Sequence, residues 1–389
     1  MNVPAWRSAC SAMAAAGLLV GLAAAGRELP VVALTCALAA IAAEPRWHPR
    51  RDVPAALVMI AWLLSAILAP LPGTTIASAL PMLACVAVVG GTARLPPAIA
   101  RALFAGCLVM AVLVLALVTA FELARFGELR STAYPGLPGW GGFPEIGLLG
   151  AMTLPVALSL AIGRGPRAAR AGAVVATLGA AAGVVLSASR AAWGAALVGT
   201  VVVVVARRRG RWRAVAGIVG AVALLATLAV VWRRPQPGGG AVAAEVAVRS
   251  RAEAWGQAVQ LWRERPVVGW GPASYRQVYA RHFERSADAQ FHAHDAYLNL
   301  AVETGVLGLA AALWFGGVVL AGTGSRFAPG GTMMAAARIG LVGGLIAVAV
   351  RFLVDYFDPA GSGMRVMLWL SILAGLRLAL EAAPDSASA

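Results

Sequence analysis

Two of the chain's four histidines fall in one phrase, Phe291-His292-Ala293-His294-Asp295-Ala296-Tyr297-Leu298-Asn299-Leu300. Imidazole is the side chain best suited to moving protons near neutral pH. The phrase closes the longest polar stretch of the sequence and opens an apolar run. His294 therefore sits at the mouth of a helix, where it could take a proton from an incoming hydroxyl. The bland alternative is an interfacial histidine bonded to a backbone carbonyl. Asp295 is a favoured residue for capping the helix that follows. A zinc held by His292, His294 and Asp295 is a third reading. A catalytic zinc takes three protein ligands, but neighbouring residues in an extended segment rarely all point at one ion, so no metal and no cofactor is expected.

Two arginines invite a second chemistry. In Ser187-Ala188-Ser189-Arg190-Ala191-Ala192-Trp193, Arg190 stands between two apolar runs. Guanidinium is costly inside a bilayer, and its fork of donors suits phosphate oxygens. A snorkelling loop arginine is the competing explanation. In Ser250-Arg251-Ala252-Glu253-Ala254-Trp255, Arg251 lies one helical turn before Trp255, on the same face. The competing explanation there is an ordinary surface charge.

The elements that must position these residues are legible in the composition. The chain has 389 residues, 60% hydrophobic and 13% charged, with a mean hydropathy of +0.79. A soluble domain has roughly a quarter of its residues charged, so a polytopic all-α membrane protein is expected. A span needs ~20 mostly apolar residues. Twelve candidates occur at about 8–25, 30–43, 54–71, 74–91, 99–121, 145–163, 169–188, 191–206, 214–232, 296–321, 336–354 and 365–380. The first could pass for a signal peptide but reads as the first span, with so many behind it. The expected organisation is nine spans over 1–232, a helical loop over 233–295, and three spans with a tail over 296–389.

Within the long loop, Pro235–Gly240 is a Pro/Gly linker, and Trp255, Ala258, Val259 and Trp262 form an apolar stripe at helical spacing. Pro266 stops that helix, Gly269-Trp270-Gly271-Pro272 is a turn, and a second short helix is expected over Tyr275–Phe283. The tryptophans and tyrosines suit a cap lying on the membrane surface.

All 32 basic residues are arginine, and the net charge is +15. The charge is scattered through short loops, so a nucleic-acid partner is not expected. It reports topology instead. With the N-terminus in the cytoplasm, seventeen arginines fall on the cytoplasmic side against six in the short loops opposite. Both termini are then cytoplasmic, and Arg190, Arg251 and His294 share the outer face. Two arginines and a base on one face suit transfer of a group from a diphosphate, the arginines neutralising the leaving group. Cys10, Cys36, Cys85 and Cys107 all lie in apolar runs and suggest neither disulfides nor a metal site. There is no P-loop, no GxGxxG after a strand, no CxxC and no Asp-x-Asp; Asp355-Tyr356-Phe357-Asp358 has the wrong spacing for the last. A transporter would also fit twelve spans, but no internal repeat and no paired mid-membrane acids accompany them.

His294-Asp295, nine residues, then Gly305-x-x-Gly308 resembles the signature of the O-antigen ligase and polymerase superfamily. Ser189-Arg190 opening a span, Ser250-Arg251-x-x-x-Trp255, and Pro266-Val267-Val268-Gly269-Trp270-Gly271 are similar to that family as well. The resemblance is specific over about 187–310 and only topological elsewhere. It implies a bacterial inner-membrane glycosyltransferase that works without a metal. Such an enzyme moves a glycan from undecaprenyl diphosphate to an acceptor on the periplasmic face, either lipid A core or a growing glycan. By the resemblance, His294 is the base on the acceptor hydroxyl, and Arg190 and Arg251 are diphosphate ligands. His292, Asp295, Ser189 and Trp255 are in support. The family commonly has Asn, Ser or Gln where this chain has Asp295, which either tunes His294 or only caps the helix. Ligase, polymerase and protein-glycosylating branches share these motifs. A single late loop holding both Arg251 and His294 favours the ligase, while Arg125 and Arg130 in the 122–144 loop keep the polymerase open.

Overall fold

An apolar run has nowhere to send its backbone polar groups except into its own helix. The computed structural model follows that rule. It describes residues 5–23, 29–45, 47–70, 72–126, 143–187, 189–207, 240–283, 292–321, 332–356 and 363–381, and every regular element among them is an α-helix. In chain order these are α1 (Ala5–Ala23), α2 (Leu29–Ala43), α3 (Pro49–Ile67), α4 (Pro72–Thr92), α5 (Pro97–Phe126), α6 (Phe143–Ala161), α7 (Arg167–Leu186), α8 (Arg190–Arg207), α9 (Gly240–Glu264), α10 (Tyr275–His282), α11 (Ala296–Ala321), α12 (Met333–Arg351) and α13 (Met364–Glu381).

Eleven of the twelve apolar runs coincide with helices; the run at 214–232 lies outside the described residues. Among the described residues, six helices contain a stretch long and apolar enough to cross a membrane, namely α4, α5, α7, α8, α11 and α12. The apolar stretches of α2 and α6, Pro30–Ala43 and Glu145–Ala161, are shorter. Charges interrupt α3 and α13 near their ends, at Arg50, Arg51 and Asp52 and at Arg365, Arg377 and Glu381. The largest core joins α1, α2, α4, α5, α6, α12 and α13 through Leu18, Ala37, Val88, Leu103, Leu149, Leu341 and Trp369.

Two features of this framework position the site. First, α8 and α12 cross where two glycines let the backbones touch. A Cβ on Gly199 would lie 2.5 Å from the Gly343 carbonyl oxygen. Gly199 is nine residues after Arg190 and Gly343 eight before Arg351. At ~1.5 Å per residue, an antiparallel crossing there brings the start of α8 to the end of α12, and Arg351 does hydrogen-bond to Ser189.

Second, α11 is broken. Gly305 has φ 64 and ψ −170, a conformation that is essentially restricted to glycine. The groups freed by the break are taken up by the strip 266–271. The amides of Val306 and Leu307 donate to the carbonyls of Pro266 (2.8 Å) and Val267 (3.3 Å). In return, the amides of Trp270 and Gly271 donate to the carbonyls of Val302 (3.0 Å) and Glu303 (2.8 Å). The two strips approach too closely for a side chain, since a Cβ on Gly269 would sit 2.4 Å from the Glu303 carbonyl carbon. Two sequence motifs 34 residues apart are therefore two halves of one joint.

The expected cap helix is α9, but its inward face differs from the stripe read off the sequence. Ala254, Ala258 and Leu261 are buried, while Trp255 and Val259 are half-buried. Tyr275 and Tyr279 do not lie at an interface. They are buried in a small core with Ala258, Leu261, Ala293 and Val302. The two rings stack at 6.1 Å, and the Tyr279 hydroxyl donates to Gln257 Oε1 at 3.2 Å. The cap thus has a core of its own, to which α11 contributes. Arg265 fastens it to the end of α3, stacking on Trp270 at 4.9 Å and donating to the Leu68 carbonyl at 3.2 Å. At the opposite end of α3, Asp52 accepts from Arg51 at 2.8 Å and from Arg94 at 2.7 Å.

Candidate functional site

The histidine phrase is held by the helix it opens. Asp295 Oδ1 accepts from the amides of Tyr297 (2.8 Å) and Leu298 (2.9 Å), and the Asp295 carbonyl accepts from Asn299 N at 3.0 Å. That is the geometry of an N-cap. Burial raises the Asp295 carboxyl above its ordinary value, and those two N–H bonds pull it the other way. Its carboxylate is committed to the helix rather than to His294.

The start of α11 is stitched to the end of α12. Ala296 N donates to the Phe352 carbonyl at 2.8 Å, and the Tyr297 hydroxyl donates to the Ala349 carbonyl at 3.0 Å. This seam carries Asp355 to the histidines. One donor atom each of His292, His294 and Asp355 lies within 4.8 Å of the others. The two imidazoles meet edge to face at 4.4 Å, and Tyr356 covers His292 at 5.6 Å.

The electrostatics separate the pair. Burial pushes the His292 imidazole down to about 4, the charge of His294 adds to that, and Asp355 opposes it. His292 is neutral at pH 7, and its Nδ1 accepts the His294 amide at 3.1 Å. Burial also lowers His294 from its ordinary value; Asp355 pulls it up and Arg251 pushes it down. His294 is thus neutral near pH 7 and equipped to accept a proton, with Asp355 to stabilise the cation that forms. The carboxylate acting on His294 is Asp355, from 61 residues further along the chain.

Asp355 is itself fixed by Arg351, which donates to Oδ2 at 2.8 Å and reaches Ser189 Oγ with its other terminal nitrogen. Arg351 is 1% exposed. Ser189 Oγ also accepts from Ala192 N at 3.3 Å in the first turn of α8. One guanidinium therefore connects the Ser189-Arg190 motif to the histidine motif. Arg251 completes the group, since its charge acts on both His294 and Arg351.

Of the residues singled out by sequence, the fold brings together His292, His294, Ser189 and Arg251. Arg190, next to Ser189, is exposed at the start of α8, and Trp255, one turn after Arg251, is half-buried. Asp295 is a cap. Arg351 and Asp355 were missed as site residues. The available signal was a charged pair at i, i+4 closing an otherwise uncharged run. The residues that could hold a metal are His292, His294 and Asp355, not Asp295. However, the Asp355 carboxylate already serves Arg351, and two guanidiniums nearby repel a divalent cation. A cleft of about 210 Å³ lined by Pro70, Thr75, Trp270, Gln277 and Arg281 contains none of the histidine group.

No curated protein matches the chain. Residues 173–313 match the family model described as O-antigen ligase. The matched stretch runs from α7 into α11, and so takes in Ser189, Arg190, Arg251, His292, His294 and the joint at Gly305, while Arg351 and Asp355 lie beyond it. Residues 173–313 are thus similar to the O-antigen ligase family, and the described residues around and within that stretch include six helices long and apolar enough to cross a membrane, as a membrane protein requires.

Proposed function

We propose that the protein transfers a glycan from undecaprenyl diphosphate to a hydroxyl of lipid A core at the periplasmic face of a bacterial inner membrane. In this reading the described helices belong to a bundle of twelve spans with both termini in the cytoplasm. The observation that carries it is the half-buried His294 within 4.8 Å of the Asp355 carboxylate, with the charge of Arg251 acting on the same imidazole. The acceptor oxygen attacks the anomeric carbon, forming the new C–O bond. The C–O bond to the diphosphate breaks, with inversion. His294 takes the acceptor proton and later returns it to water. Undecaprenyl diphosphate leaves with its charge met by Arg190 and Arg251. Asp355 stabilises the His294 cation while it exists, and Arg351 keeps Asp355 in place.

Ligation to a preformed acceptor is preferred to polymerisation. Helix α5 runs through Phe126, so Arg125 belongs to a helix and not to a second large loop. The test is a vesicle assay with a carrier-linked glycan and lipid A core supplied together. Glycosylated lipid A core supports the ligase; a longer glycan still on the carrier supports the polymerase. His294→Ala is expected to lower transfer by roughly 10²–10⁴. Normal transfer by a correctly inserted His294→Ala protein defeats the mechanism.

A further inference from the structure

His294 has φ 54, a left-handed conformation that costs a residue with a Cβ on the order of 1 kcal/mol. Such a conformation persists only where the surroundings over-determine it. On its C-terminal side His294 is anchored by Asp295, the N-cap. On its N-terminal side the anchor is Ala293, which is 0% exposed and belongs to the cap core. Its buried amide donates to Asn299 Oδ1 at 3.3 Å.

Asn299 is also 0% exposed, and its amide could face either way in the absence of a second partner. Glu303 supplies that partner. Asn299 Nδ2 donates to Glu303 Oε1 at 2.9 Å, which leaves Oδ1 turned toward Ala293. A carboxylate can only accept, so Glu303 fixes the orientation of the Asn299 amide. The same Oε1 accepts the amide of Tyr275, in the first turn of α10, at 3.4 Å. The main-chain carbonyl of Glu303 accepts from Gly271 N at 2.8 Å and from Ser65 Oγ at 2.7 Å. Glu303 thus touches α3, the 266–271 strip and α10 at once, and passes their placement to the histidine phrase through one side chain.

We infer that Asn299 and Glu303 are positioning residues: they hold His294 in its left-handed conformation, and they make its aim depend on docking of the cap. Neither residue touches the reacting atoms. The inference goes beyond the proposed glycosyl transfer and uses it for only one of two readouts.

The decisive set is Asn299→Asp, Glu303→Gln and the double variant, in the full-length protein. Asn299→Asp keeps the acceptor for Ala293 but sets a carboxylate against Glu303 and removes the donor. Misplacing a catalytic group by about 1 Å costs up to ~10²-fold. The expected result is a kcat lower by roughly 10- to 100-fold, with the KM for the carrier-linked glycan little changed. In the double variant the introduced glutamine amide donates to the introduced carboxylate. The bond between positions 299 and 303 is restored with reversed polarity while Tyr275 N loses its acceptor, so part of the kcat returns. Glu303→Gln alone, which still offers an oxygen to Asn299 and Tyr275, loses less than Asn299→Asp.

The second readout needs no glycan. The rate at which diethyl pyrocarbonate modifies His294, followed by peptide mass spectrometry, should change several-fold in Asn299→Asp and partly revert in the double variant. An Asn299→Asp protein with wild-type kcat and modification rate overturns the inference. So does a double variant no better than the single, or a loss confined to KM. If the wild-type protein transfers no glycan, the proposed function fails, and the modification rates alone decide this one.

Discussion

Gly305→Ala tests whether the joint between the cap and α11 is as tight as its geometry requires. Alanine at φ 64 and ψ −170 carries about 1–3 kcal/mol of backbone strain. Its Cβ would lie 2.1 Å from the Val267 carbonyl oxygen and 2.2 Å from its carbon, so one strip must move by more than an ångström. The move breaks the bonds from Val306 N to Pro266 and from Leu307 N to Val267, each worth ~0.5–1.5 kcal/mol net. Together the cost of keeping the joint is roughly 2–6 kcal/mol. The easiest escape is to straighten α11 and expel 266–271. Gly316 supplies the control: no neighbour lies within 4 Å of an added Cβ, and alanine there gains up to about 1 kcal/mol of helix propensity. Hydrogen exchange in detergent reads the difference. At ~1.4 kcal/mol per tenfold, the amides of Trp270, Gly271, Val306 and Leu307 should exchange roughly 30- to 10⁴-fold faster in Gly305→Ala. The amides of α12 should be unaffected. Protection at those four amides equal to that in Gly316→Ala would refute the joint as described.

Two further outcomes follow from the site. Asp355 raises the affinity of His294 for its proton, so Asp355→Asn should move the acid limb of the pH–rate profile to lower pH, while the weaker base lowers the plateau. An unmoved limb would mean that Asp355 does not face the base in the working enzyme. Asp295→Ala should cost about 1 kcal/mol of stability through loss of the α11 cap and leave the acid limb in place, whereas Asp295→Asn keeps most of the cap. A shifted limb in the latter would return Asp295 to the role of tuning His294.

Much of the fold was legible because membrane helices announce themselves by length and hydrophobicity. The small cap was legible in its elements but not in its packing. Periodicity marked α9 as a helix, yet the face with Ala254, Ala258 and Leu261 is the buried one, because small residues fit against α10 and α11 better than the tryptophans do. The histidine phrase was recognisable from type and spacing. Asp355 was not, because what makes it matter is the seam from Ala296 to Phe352 and the α8–α12 crossing at Gly199 and Gly343. Those are relations between distant segments and leave no local pattern. The twin role of the glycine motifs was likewise hidden: each reads alone as a turn or a helix break, and only together do they satisfy one another's backbone.

That mutual satisfaction bears on how the cap could be exchanged between relatives. Judged by hydrophobicity, a graft would be cut just before Ala296, where the long polar segment gives way to α11. A cut there would separate Pro266 and Val267 from the Val306 and Leu307 amides they receive, and mate each half with a stranger. The transplantable unit runs from Pro266 through Leu307, across the change from polar to apolar sequence. A chimera that respects that unit inherits an intact joint, and one that follows hydropathy does not.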